Sequence, residues 1–184
     1  LFKKMKDEKV DVAMMEVSSH ALELKRTVGS EFKVGIFTNL TQDHLDFHSS
    51  MEEYYNAKKK LFKNCETAVI NLDDQYGKRL YDEIDCKKVT YSILENSDYI
   101  AKAINVFPTN VNYKLLTNTL MHVDIKTGGN FTVYNSLCAV SCALQIGISS
   151  TDISTALSNF AGVKGRAEVV ETGKDFTVII DYAH

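Results

Sequence analysis

Short apolar runs alternate with helical stretches through the first half of this chain. That alternation restricts the fold more than any other feature of the sequence. The runs at 10–17, 34–39 (V-G-I-F-T-N), 68–71 (A-V-I-N) and 89–92 read as strands, the first ending at Ser18-Ser19. A helix over 51–63 lies between the second and third, and a shorter one over 75–84 between the third and fourth. Ser50, followed three residues later by Glu53, is a capping-box signature at the start of the longer helix. Such an order predicts an α/β fold, a mostly parallel sheet with flanking helical crossovers.

The pattern changes after residue 97. Residues 99–106 and 112–126 are strand-rich and only partly alternating, which predicts a smaller antiparallel β flap beside the main sheet. Gly128-Gly129 breaks the pattern. Residues 133–146 are apolar nearly all round and predict a buried helix. A further helix is expected over 151–160, capped by Thr151, then a loop punctuated by Gly162 and Gly165 and two closing strands. No repeat, linker or low-complexity segment interrupts the 184 residues, a length suited to one domain.

Composition removes several function classes. Net charge is −3 and no basic patch stands out, which argues against a nucleic-acid partner. No apolar run approaches the roughly 18 residues that span a membrane, and no signal peptide is visible. The four cysteines form no C-x-x-C pair, and Cys138 and Cys142 sit four apart in an apolar helical pattern, where thiols act as small hydrophobes. A cytoplasmic setting is expected.

Lys58 is the most informative position. Met51, Tyr54, Tyr55, Leu61 and Phe62 form one helical face, and Lys58 falls within it, while Lys59 and Lys60 are expected to point away. A buried ammonium is costly unless paired, and burial lowers its pKa. Two readings are open. The side chain snorkels past the apolar face to water, or it is held for chemistry, since a neutral amine reacts with CO₂ to give a carbamate able to hold Mg²⁺.

Two further segments sit where strands end, the usual place for function in parallel sheets. Asp43-His44-Leu45-Asp46-Phe47-His48 follows the second strand. His44 and His48 have the i,i+4 spacing of a zinc helix, but Leu45 stands where the general base of that motif would be. The bland reading is a polar loop with a capping Asp. Met15-Glu16-Val17-Ser18-Ser19-His20 ends the first strand; a carboxylate followed by two hydroxyls suits Mg²⁺, or is simply a capped strand end. Asn135, Asp181, and Arg166 in its glycine-bounded loop complete the candidates. An arginine so placed stabilises phosphoryl transfer, though each of the three is by itself more often structural.

In order along the chain, E-V-S-S-H-A-L-E-L-K-R (16–26), F-T-N-L-T-Q-D-H-L-D-F-H (37–48), Y-Y-N-A-K-K-K-L-F (54–62), N-L-D-D (71–74), N-F-T-V-Y-N-S-L (130–137), G-V-K-G-R-A-E (162–168) and D-Y-A-H (181–184) resemble the Mur ligase family. The E-V-S-S-H-x-L form resembles the branch that adds the third peptide residue. The resemblance implies a P-loop-NTPase-like central domain of an ATP- and Mg²⁺-dependent ligase. That enzyme joins meso-diaminopimelate or L-lysine to UDP-N-acetylmuramoyl-L-Ala-D-Glu through an acyl phosphate, in cytoplasmic peptidoglycan synthesis. It implies Glu16, His44 and a carbamylated Lys58 as Mg²⁺ ligands, Ser18 and Arg26 as contacts to the UDP-muramoyl-dipeptide, and Asn135, Arg166 and Asp181 as nucleotide-site residues. Lys58, His44 and Arg166 would carry the catalysis.

The chain departs from the family pattern twice. Leu24 stands where Gln is usual two residues before Arg26, and Thr132 replaces the first Asn of F-N-V-x-N. No G-x-x-G-K-[ST] phosphate loop occurs in the 184 residues. Residues 1–184 are therefore expected to be a truncated central domain without the amino-terminal UDP-binding and carboxy-terminal amino-acid-binding domains, inactive alone and weak in binding ATP. A non-catalytic nucleotide- or partner-binding module on the same fold is the alternative, and a metal-dependent hydrolase built on His44 and His48 a more distant one.

Overall fold

The computed structural model describes residues 1–42, 47–117, 120–170 and 172–182. Its centre is a six-stranded sheet whose strands lie in chain order: β1 (Phe32–Phe37), β2 (Cys65–Asn71), β3 (Lys87–Ser92), β4 (Tyr99–Val106), β5 (Val111–Leu116) and β6 (Leu120–Ile125). β1, β2 and β3 run parallel, setting Val34 beside Thr67 and Val69 beside Val89. The helices are α1 (Phe2–Asp7), α2 (Ser19–Glu23), α3 (Met51–Lys59), α4 (Gln75–Glu83), α5 (Asn130–Gln145) and α6 (Ser150–Asn159). A separate antiparallel pair, β7 (Glu168–Val170) and β8 (Val178–Ile180), follows. The expected α/β class is the one the chain forms.

Side chains on a strand alternate between faces, and β2 shows why its sequence does not. Ala68 and Ile70 pack with Phe37, Tyr54, Tyr55 and Leu80 under α3 and α4. Val69 turns the other way, to Val89, Tyr91 and Leu137 under α5. A strand covered on both faces must be apolar throughout. Leu80 and Leu137 are fully buried, and each such side chain contributes about 1.5–3 kcal/mol.

The antiparallel strands expected over 99–126 are present, and they continue the main sheet. β4 joins β3 in parallel through Tyr91–Tyr99 and Ser92–Ile100, then pairs antiparallel with β5, and β5 with β6. In β5 and β6 alternate residues are buried: Val111, Tyr113, Leu115, then Met121, Val123, Ile125. That period of two marks a sheet covered on one face only.

Three local expectations fail. Residues 10–17 form no strand: Val10, Val12, Met14 and Met15 are exposed, and β1, an edge strand, is paired only with β2. An apolar run becomes a strand only when a neighbour takes its backbone hydrogen bonds. The helix at 51–63 is α-helical only to Lys59, after which a 3₁₀ turn over Lys60–Asn64 tightens the chain into β2. Helix α6 is capped by Ser149, whose hydroxyl accepts from the Asp152 N–H, and not by Thr151. At α3 the capping box forms by half. Ser50 accepts from the Glu53 N–H, while the Glu53 carboxylate takes the Ser49 N–H instead of that of Ser50.

Candidate active site

Because β1, β2 and β3 are parallel, their carboxyl ends open on one side, and α5 begins there. A cleft of about 250 Å³ lies between them, walled by Thr38, Asn39, Asn71, Asp73, Tyr134 and Asn135 among others. The N-L-D-D segment ties these strand ends together. Asn71 Nδ2 donates to the Thr38 carbonyl at 2.9 Å. Asp74 caps α4 and also accepts from the Leu40 N–H. Asp73 accepts from the Ser92 hydroxyl at 2.5 Å and from the Ile93 N–H at 2.8 Å. Tyr134 lies beside Asp73 in this wall; burial, then the Asp73 charge, push its phenol up to about 12. Asp73 and Tyr134 were not singled out from sequence. The available signal was a second Asp in N-L-D-D with no helix of its own to cap.

Helix α4 can start this close to β2 because residue 77 is glycine. A Cβ at Gly77 would sit 1.9 Å from the Asn71 carbonyl oxygen.

A smaller cavity of about 40 Å³ adjoins this cleft through Thr38 and Asn39, and Lys58 and Val17 line it. Lys58 is half-buried, its Nζ 5.3 Å from the centre of the Tyr54 ring. Lys59 does not point away as expected. It is half-buried too, and pairs with Glu83 at 2.7 Å. Lys60 bonds Glu23 of α2. His48 is stacked on Tyr54, with ring centres 5.0 Å apart, and its Nε2 lies 2.8 Å from Ser19 Oγ. The segments E-V-S-S-H and Y-Y-N-A-K-K-K thus meet beside the end of β1, with Phe47 and His48 packed between them.

The other expected residues on this side divide. Glu16 and Ser18 flank Val17 and are exposed. Ser18 is the N-cap of α2, accepting from the Ala21 N–H. Arg26 is exposed just past α2, and Leu24, at 57% exposure, is the C-cap residue of that helix. His44 lies outside the described residues. Among those described, no cluster of three or more His, Cys, Asp or Glu side chains is arranged to hold a metal.

On the far side of the first turns of α5 is a cleft of about 380 Å³, lined by Phe131, Asn135, Leu157, Phe160 and Arg166 among others. Phe131 and Asn135 wall both this cleft and the one at the strand ends. Arg166 sits over the Tyr182 ring, 5.6 Å from its centre. The Asp181 carboxylate accepts from the Ala167 N–H at 2.8 Å, so Asp181 holds the arginine's loop. Asn135 and Arg166 therefore share one cavity, which Asp181 braces from outside. Thr132 uses its hydroxyl on the Gly128 carbonyl at 2.7 Å and is buried.

The chain matches the Mur ligase middle domain over residues 1–143. It is 43% identical, over its whole length, to UDP-N-acetylmuramoyl-L-alanyl-D-glutamate–2,6-diaminopimelate ligase 1 of Clostridium acetobutylicum, and covers 39% of that protein. It is 45% identical to the ligase of the same activity from Caldanaerobacter subterraneus, again over its whole length and 38% of the relative. Among solved structures, one of a UDP-N-acetylmuramoyl-L-alanyl-D-glutamate–2,6-diaminopimelate ligase superposes with a TM-score of 0.81 at 29% identity, covering 92% of this chain and 36% of that one. The chain thus spans about two fifths of the length of the curated relatives it matches.

Proposed function

The chain belongs to the Mur ligase family through its middle domain, and from that premise we propose that it is the central, ATP-binding domain of a ligase that adds 2,6-diaminopimelate to UDP-N-acetylmuramoyl-L-Ala-D-Glu. One observation carries this reading. The three cavities adjoin, from Arg166 and Phe160 through Asn135 and Phe131 to Asp73, Asn39 and finally Lys58. A nucleotide whose base lies in the apolar cleft by Asn135 has its phosphates directed along the strand ends towards Lys58. Diaminopimelate is chosen over L-lysine because the relatives named above are diaminopimelate ligases.

In this reading the substrate carboxylate attacks the terminal phosphoryl group of ATP, giving an acyl phosphate and ADP. The incoming amine then attacks the acyl carbon, and collapse of the tetrahedral intermediate releases phosphate and leaves the amide. Arg166 supplies positive charge to the nucleotide from the wall of the base cleft, while Ser18 and Arg26 hold the muramoyl-dipeptide. Asn135 binds the base, and Asp181 keeps the Arg166 loop in place.

Glu16 offers hard oxygen donors beside the Lys58 cavity, as Mg²⁺ requires. An ammonium ligates no cation, so Lys58 fits such a site only as its carbamate, with Glu16 and His44 completing it. The ion supplies charge against phosphate oxygens. The four free cysteines fit work in the reducing cytoplasm, and no described helix is long and apolar enough to cross a membrane.

The test is turnover by the whole protein with ATP, Mg²⁺, the muramoyl-dipeptide and each amino acid in turn. Release of phosphate coupled to a diaminopimelate tripeptide is expected. Coupling to lysine alone overturns the choice of amino acid, and no coupling to either overturns the ligase reading. The 184 residues by themselves are expected to show no turnover.

A further inference from the structure

The larger cleft contains one polar atom that the fold leaves unused. Thr127 lies between β6 and α5, lines the cleft and is 8% exposed. Its hydroxyl has no hydrogen-bond partner, the one such buried side-chain atom among the described residues. Buried hydroxyls are nearly always bonded, and an exception calls for a physical reason. Leaving one unpaired costs stability, and a valine would fill the same space without that cost. The nearby Thr132 shows the ordinary solution, since its hydroxyl is bonded to Gly128.

The surroundings indicate what the missing partner is. Phe131, Phe160, Leu157 and Ile125 give the cleft apolar walls, and Asn135 gives it an amide. A flat heteroaromatic ring with hydrogen-bonding edges matches such walls. Gly162 passes close over the hydroxyl: a Cβ there would lie 3.2 Å from Thr127 Oγ1, and its φ is +87°. A side chain at 162 would press on the hydroxyl, so glycine keeps that approach open. A staggered step about the Thr127 χ1 moves the oxygen to another position without moving the backbone.

We propose that the Thr127 hydroxyl is a base-recognition group that hydrogen-bonds an edge of the purine of the bound nucleotide and is left unpaired when the cleft is empty. The inference rests on the cleft being the nucleotide site, as proposed above. It adds a contact made by Thr127, outside the residues that motif resemblance supplied.

Opposite-signed effects of one substitution test it. In the whole protein, Thr127→Val is expected to leave the nucleotide-free melting temperature unchanged or raise it, because an unpaired hydroxyl is removed. It is expected to weaken binding of the non-hydrolysable analogue β,γ-imido-ATP about three- to tenfold by titration calorimetry. Binding of inorganic tripolyphosphate, which has no base, should not change. Thr127→Ser, which keeps the hydroxyl, should retain most of the wild-type affinity. If Asn135→Ala weakens the analogue and Thr127→Val does not, the Thr127 contact is wrong and the nucleotide site stands. If the analogue binds equally well to wild type, Asn135→Ala and Thr127→Val, both the site and the contact are overturned. A melting temperature that falls with Thr127→Val overturns the claim that the hydroxyl is idle in the empty protein.

Discussion

His48 Nε2 lies 2.8 Å from Ser19 Oγ, with both residues buried, at 4% and 1% exposure. This bond pins the start of α2 to the chain entering α3. Ser19→Ala leaves an imidazole nitrogen without this partner and is expected to cost about 1–3 kcal/mol of stability, read from urea unfolding. His48→Gln keeps an amide able to reach Ser19 but loses the stack on Tyr54, so it should cost less than His48→Ala. Equal losses for the two would show that the ring, not the hydrogen bond, matters.

Lys58 gives the sharpest activity prediction. Lys58→Ala in the whole protein is expected to abolish turnover while changing stability by only about 1–2 kcal/mol, the size of a half-buried cation–π contact. Short carboxylates added to the variant should restore part of the activity if a carbamate is the working form. Full activity in Lys58→Ala would remove the residue from the mechanism.

Gly77→Ala tests the approach of α4 to β2. The added methyl would stand 1.9 Å from a backbone oxygen, which no rotamer relieves. A loss of about 3 kcal/mol, the upper end of ordinary overpacking, is expected by thermal or chemical unfolding.

Glu83 sets a pH dependence. Hydrogen bonds first from Lys59, then from Arg79, hold its carboxyl down at about 2 against an ordinary 4.5. A depressed folded pKa means stability that is complete above about 4.5 and is lost as pH falls towards 2. The stability gap between wild type and Glu83→Gln should therefore be widest at neutral pH and narrow between pH 4.5 and 2. Because this network lies largely in solvent, 0.5 M salt should shrink the gap.

Helix α6 separates two candidate caps. Ser149→Ala should cost about 1 kcal/mol, while Thr151→Ala, which removes no cap, should stay within about 0.5 kcal/mol. Thermal unfolding of both variants decides it.

Sequence was most informative where the whole signal lay within one element. The doubly covered β2, the Ser50 cap and the apolar α5 each carry a pattern that one local geometry explains. It misled where the outcome depended on a neighbour. Residues 10–17 have the apolarity of a strand, yet nothing among the described residues pairs with them. Lys59 looked solvent-directed because its partners, Glu83 and the ring of Tyr55, come from α4 and from the adjoining helical turn. At the candidate site, motif order pointed to Lys58, Asn135 and Arg166, which do line adjoining cavities. It did not point to Asp73 or Thr127. Their significance lies in what they touch, or fail to touch, across 19 residues of sequence in one case and across a cleft in the other.

Phe131 and Asn135 each face two compartments, so the first turns of α5 act as a partition with a working surface on either side. A ligand that shifts this partition from one side alters the shape presented on the other. Thermodynamic reciprocity then applies: whatever factor an occupant of the apolar compartment imposes on affinity at the strand ends is returned unchanged in the opposite direction. The base and the phosphates of one nucleotide are, in the proposed reading, coupled through a single turn of helix.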